Sequence, residues 1–133
     1  MKILNPTENI SSITSLVTNA RKFVIIVSPY NDLTGWDDFK NALNKAAKKM
    51  DVFYFVRQGE GKKGLEGLDV KILEVPMLHA KMFFSENEAM ISSGNLTNRP
   101  DINWVSRLSK DEYEDLFTFF NKYIKPEAKP LQK

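Results

Sequence analysis

The 133-residue sequence contains no cysteine and one histidine, His79. Without thiols there is no disulfide framework, no thiolate zinc site and no pointer to an oxidising compartment. With one imidazole, a histidine-rich metal centre within a single chain is excluded. Apolar runs such as Phe23 to Val27 are far too short to span a bilayer as a helix. Met1-Lys2-Ile3-Leu4-Asn5-Pro6 lacks the extended apolar core of a signal peptide. Strong charge of one sign is also missing: the net charge is +2, which neither demands nor excludes a polyanionic partner, because a local basic patch suffices. Hydrophobic residues at 42% and charged residues at 27% are those of an ordinary globular protein. The expectation is one soluble, cytoplasmic domain over residues 1–125 without stable membrane association, followed by a frayed tail over 126–133.

What is present concentrates in Leu78-His79-Ala80-Lys81-Met82-Phe83-Phe84-Ser85-Glu86 and the following Ser92-Ser93-Gly94-Asn95-Leu96-Thr97. His79 and Lys81 are two apart, so on a strand they face the same way. An imidazole beside an ammonium suits chemistry at phosphorus: one attacks or protonates, the other neutralises the non-bridging oxygens. Ser93 and Asn95 are again two apart, before a turn, and could offer a hydroxyl and an amide to one oxyanion. Taken singly these features are ordinary, since a lone histidine is commonly a surface or core residue and Ser, Gly and Asn make turns. Their order is not. The segment resembles the phospholipase D superfamily signature His-x-Lys-x4-Asp-x6-Gly-Ser-x-Asn. His79 and Lys81 match it, Glu86 stands where that family has Asp, and Ser92-Ser93-Gly94-Asn95 stands for Gly-Ser-x-Asn. The interval from Glu86 to Asn95 is one residue shorter than the pattern, across a predicted hairpin turn at 86–88.

Around this stretch the chain alternates helical and strand patterns. Asn5-Pro6-Thr7-Glu8 predicts a capped helix start, with Ile10, Ile13, Leu16, Val17 and Ala20 on its apolar face. Phe23 to Val27 predicts a strand covered on both faces, and Ser28-Pro29-Tyr30-Asn31-Asp32 a loop at its C-terminal end. Trp36, Phe39, Leu43, Ala46 and Met50 mark a second helix, and Asp51 to Val56 a further strand. Arg57 to Gly64 reads as a basic, glycine-rich, mobile loop without the Gly-x4-Gly-Lys-Ser/Thr spacing of a P-loop. Strands follow at Val70 to Leu73, from His79 through Phe84, at Ala89 to Ser92 and at Ile102 to Leu108. Ser109-Lys110-Asp111-Glu112 is a capping box for a last helix. The predicted fold is α/β, a mixed β-sheet flanked by helices on both faces, as the resemblance also implies for a phospholipase D-like sandwich.

The resemblance implies a metal-independent phosphodiesterase with no cofactor. Its sites use two His-Lys motifs and this chain has one, so a homodimer with a shared site is implied. His79 would be nucleophile in one copy and acid–base in the other. Lys81 and Asn95 would hold phosphoryl oxygens, Ser93 would assist and Glu86 would support the site's geometry. The family often supplies a carboxylate that orients the histidine, where this chain has Asn103-Trp104; Glu74 and Asp101 are alternatives. Small single-motif members are mostly nucleases, which implies a nucleic-acid partner, DNA ahead of RNA, with Arg57, Lys62, Lys63 and Arg99 on the phosphate backbone. A phosphodiesterase acting on lipid and a catalytically weak nucleic-acid-binding or dimerisation module are the alternatives.

Overall fold

The computed structural model describes residues 1–97 and 102–131. Its elements are β1 (Lys2–Ile3), α1 (Asn9–Asn19), β2 (Phe23–Val27), α2 (Asp37–Ala47), β3 (Asp51–Arg57), β4 (Lys71–Val75), β5 (Met82–Ser85), β6 (Ala89–Ser92), β7 (Val105–Arg107), α3 (Lys110–Phe119) and β8 (Lys129–Pro130). The eight strands form one mixed sheet in the order β1-β7-β6-β5-β2-β3-β4-β8. β2, β3 and β4 are parallel, while β5 runs antiparallel to β2 and pairs with β6 as a hairpin.

Strand alternation divides the sheet between two cores. Val24 and Ile26 of β2 join Leu16, Val17, Phe39 and Leu43 from α1 and α2 in one core. Ile25 and Val27 join Phe120 and Ile124, which follow α3, in the other. Adjacent Phe83 and Phe84 of β5 go one to each core, both with no exposed surface. The uniformly apolar pattern of β2 is therefore the sequence of a strand with a helical layer on each side.

The N-terminal helix departs from the sequence reading. Asn5 accepts the Thr7 N–H at 3.1 Å, as a cap should, but Pro6–Glu8 form a 3-10 turn and the α-helix starts at Asn9. It ends at Asn19, because the Arg21 and Lys22 N–H groups are taken by Glu86. At the last helix the capping box forms as expected: Glu112 donates its N–H to the Ser109 hydroxyl and accepts the Ser109 N–H at 2.8 Å.

Past residue 125 the described chain has secondary structure of its own. Lys125–Glu127 make a 3-10 turn and β8 pairs antiparallel with β4, Glu74 opposite Lys129. The open edge of β4 supplies unpaired backbone groups that this short segment satisfies.

Strand directions fix where a site can lie. The C-terminal ends of β2, β3, β4 and β6 and the N-terminal ends of β5 and β7 share one edge of the sheet. The loops after β2, between β4 and β5 and between β6 and β7 gather there. The β5–β6 turn and the α1–β2 junction lie at the opposite edge.

Candidate active site

The approach to His79 is shaped by a turn. Met77 has φ +59°, a left-handed conformation that a long side chain adopts at some cost. Arg57, from the end of β3, donates to the Leu78 carbonyl at 3.2 Å and reaches Met77 Sδ at 3.7 Å, bracing that turn. Leu78 and Met82 are buried in the α3-side core, with Ala80 packed against it. With Leu78, Ala80 and Met82 turned to that core, the intervening His79 is exposed and Lys81 half-buried. The strand itself begins only at Met82, so both residues precede it. Lys81 is already tied to the sheet through its carbonyl, which accepts the Ser92 N–H at 3.2 Å. His79 is exposed and has no hydrogen-bond partner among the described residues.

Beside it the β6–β7 loop is built as a tight cradle. Ser92 Oγ accepts the Gly94 N–H at 3.0 Å and donates to the Gly94 carbonyl at 2.8 Å, closing a small ring. A Cβ at Gly94 would lie 2.4 Å from the Asn103 side chain, which would have to turn aside to accept it. Ser93 pairs with Trp104 through backbone and side chain: its N–H donates to the Trp104 carbonyl at 3.0 Å and its Oγ accepts the Trp104 N–H at 2.9 Å. Asn95 Oδ1 accepts the Tyr30 N–H at 3.0 Å. Its Nδ2 group has no acceptor among the described residues.

The loop after β2 holds this cradle, and sequence reasoning gave it no such role. Ser28 is fully buried and its hydroxyl accepts the Leu96 N–H at 2.9 Å. Asp32 donates its N–H to the Leu96 carbonyl at 3.0 Å. Asn31 donates to the Ser28 carbonyl at 2.8 Å and accepts the Tyr54 hydroxyl. Burial pushes the Tyr54 phenol well above its ordinary pKa, so it stays a donor. The stretch Ser28-Pro29-Tyr30-Asn31 carries no local signal of this role, because Ser28 and Asn31 find their partners on distant segments.

Glu86 stands apart from these groups. It follows β5 at the opposite edge, about 17 Å from Lys81 along an extended strand. Its carboxylate accepts the N–H groups of Arg21 at 2.7 Å, Lys22 at 3.1 Å and Phe23 at 3.3 Å. Burial pushes its pKa up, but these backbone donors and its own N–H outweigh that and hold it below the usual carboxylate value. The chemistry is that of a clamp on the start of β2.

Glu74 is engaged as well, accepting Gly59 N–H at 2.9 Å and Gly61 N–H at 3.3 Å. Together with the Leu33 N–H bond to the Gly64 carbonyl at 2.8 Å, this ties down the loop expected to be mobile. Lys62 and Lys63 are exposed on that loop, and Lys63 pairs with Glu60 at 3.1 Å. Arg99 and Asp101 lie outside the described residues. Among the described residues no group of three or more His, Cys, Asp or Glu side chains could hold a metal ion. Nor is any helix among them long and apolar enough to cross a membrane.

No protein-family model and no curated protein matches the chain. Solved structures do. Nuc from Salmonella typhimurium, a phospholipase D family member, superposes with a TM-score of 0.74 at 12% identity over 99% of this chain and 96% of its own. NucT from Helicobacter pylori gives 0.71 at 12% identity, covering 98% of both chains. Phosphatidylserine synthase from Haemophilus influenzae gives 0.76 at 16% identity over 97% of this chain, which spans 38% of that enzyme. Superposition over nearly the whole of this chain and of two of these proteins shows the fold: the chain has the phospholipase D fold.

Proposed function

We propose that the protein is a metal-independent phosphodiesterase, a nuclease hydrolysing DNA or RNA at a site shared by two copies of the chain. The observation that carries this reading is the convergence at one sheet edge of His79 and Lys81 with the Ser93-Gly94-Asn95 cradle. In the proposed reaction His79 attacks phosphorus, forming a P–N bond as the P–O bond to the leaving group breaks. The second copy's imidazolium gives its proton to the departing oxygen. It then takes a proton from water, whose oxygen displaces His79 and restores the free imidazole. Lys81 and Asn95 Nδ2 stabilise the charge on the non-bridging oxygens, work that a metal ion does in other hydrolases. With a net charge of +2, phosphate binding would rest on local cations, with Arg57, Lys62, Lys63 and Arg99 as the contacts. Arg57 would act mainly by bracing the turn before His79.

The test is cleavage of labelled single- and double-stranded DNA and RNA in excess EDTA, beside His79→Ala. Turnover should survive EDTA and fall by ~10³-fold or more in the variant. Turnover abolished by EDTA, or unchanged in the variant, would overturn the reading. Hydrolysis confined to phospholipid vesicles would replace nucleic acid by lipid as substrate.

A further inference from the structure

Two exposed aromatic side chains flank the cradle. Tyr30 is 41% exposed and Trp104 is 46% exposed. Each is fixed to the site by its own backbone: the Tyr30 N–H is held by Asn95 Oδ1, and the Trp104 N–H by Ser93 Oγ. Neither ring takes part in any aromatic contact among the described residues. Other exposed aromatics differ: Phe119 and Tyr123 rest on each other at 5.0 Å. A core role cannot explain Tyr30 and Trp104, since their surface is open. The strands they adjoin, β2 and β7, are separated by β5 and β6. The loop after β2 nevertheless reaches across to the β6–β7 loop, setting Tyr30 against Asn95 and Trp104 against Ser93, two residues apart on that loop.

Resting on the nuclease reading above, we infer that Tyr30 and Trp104 are stacking platforms for bases on either side of the scissile phosphate, and that the substrate is therefore an unpaired strand. In a duplex the base faces are already covered by neighbouring pairs, and exposing one requires flipping it out. A single strand offers every base face to a ring at no such cost. Stacking of this kind tolerates any sequence, because each base has a π-face. The base-bearing nucleotides are thus held by the rings while Lys81 and Asn95 hold the phosphate.

The experiment compares a single-stranded oligodeoxynucleotide with a strand of the same length carrying abasic sugars beside the cleavage position, and with the duplex. Binding and kcat/KM are measured for wild type, Tyr30→Ala, Trp104→Ala and the conservative Tyr30→Phe and Trp104→Phe. Wild type should prefer the base-bearing single strand to the abasic one by about 10-fold or more. Each alanine variant should remove most of that preference, and each phenylalanine variant should restore it. Equal losses on both strands, or a duplex cleaved as well as the single strand, would overturn the inference. So would a change of sedimentation coefficient in Trp104→Ala, which would place the ring between copies of the chain. If nothing is cleaved but the base-dependent binding preference appears, the platforms stand and the nuclease reading falls. If no strand binds, both fall.

Discussion

Asn95 commits one end of its amide to the protein and leaves the Nδ2 end without a protein acceptor among the described residues. The oxygen is committed to the Tyr30 N–H at 3.0 Å, so the group can donate to a substrate without reorienting. Asn95→Asp keeps the acceptor and removes the donor, placing a negative charge where an anionic phosphoryl group would sit. The expected result is a melting temperature close to wild type with kcat lowered by about 10²-fold or more; an unaltered kcat would remove Asn95 from the phosphate site. Glu86 makes the contrary case, a charged residue whose work is structural. Its carboxyl is depressed from its ordinary value of 4.5. A depressed carboxyl stabilises the fold above its unfolded value, and that contribution is lost as pH falls through the folded one. Glu86→Gln should therefore lower the unfolding free energy in urea titrations near neutral pH by about 1–2 kcal/mol, given its partial exposure and three backbone donors. As pH falls through the folded value the gap from wild type should shrink. A gap that persists there would mean the charge is not what the clamp uses.

Among elements, β5 shows why the motif could be located from sequence while one of its members could not be assigned. Its fully buried residues point alternately to two cores, a pattern visible as four successive apolar or small residues. The strand carries Glu86 away from the edge that holds His79, a matter of length and direction that residue spacing alone does not reveal. The hairpin strand Ala89–Ser92 and β2 were legible to the residue, since an apolar run and a turn bound each. β1 and β8, two residues each, carry no periodicity and were not. The Ser28-Asn31-Tyr54 support of the cradle is made of partners 23 and 68 positions apart, so nothing local announces it. Core packing at β5 can be tested directly. Phe84 meets Phe120 at 5.2 Å and Phe117 at 5.8 Å, edge to face. Phe84→Ala should cost about 3–5 kcal/mol in chemical unfolding, whereas Ser109→Ala, which removes a cap, should cost about 0.5–2 kcal/mol.

At the scale of the whole molecule, a site shared between copies ties activity to protein concentration. The chain has a mass of 15.3 kDa, and the active species should sediment at twice that. Specific activity should fall on dilution below the dissociation constant; activity proportional to enzyme down to a demonstrated monomer would exclude a shared site. The two ends of the sheet bear on how copies can meet. Each is closed by a strand of only two residues, Lys2–Ile3 on one side and Lys129–Pro130 on the other. Lysine and proline at a short outer strand are poor templates for further backbone pairing. Copies are thus discouraged from joining into a continuous sheet. Deleting residues 129–133 would uncover Ile72, Leu73 and Glu74 of β4, and the expected outcome is more light scattering over time at micromolar concentration than from the full chain. That outcome would make the terminal strands guards against aggregation, whereas equal clarity of the two proteins would exclude the role.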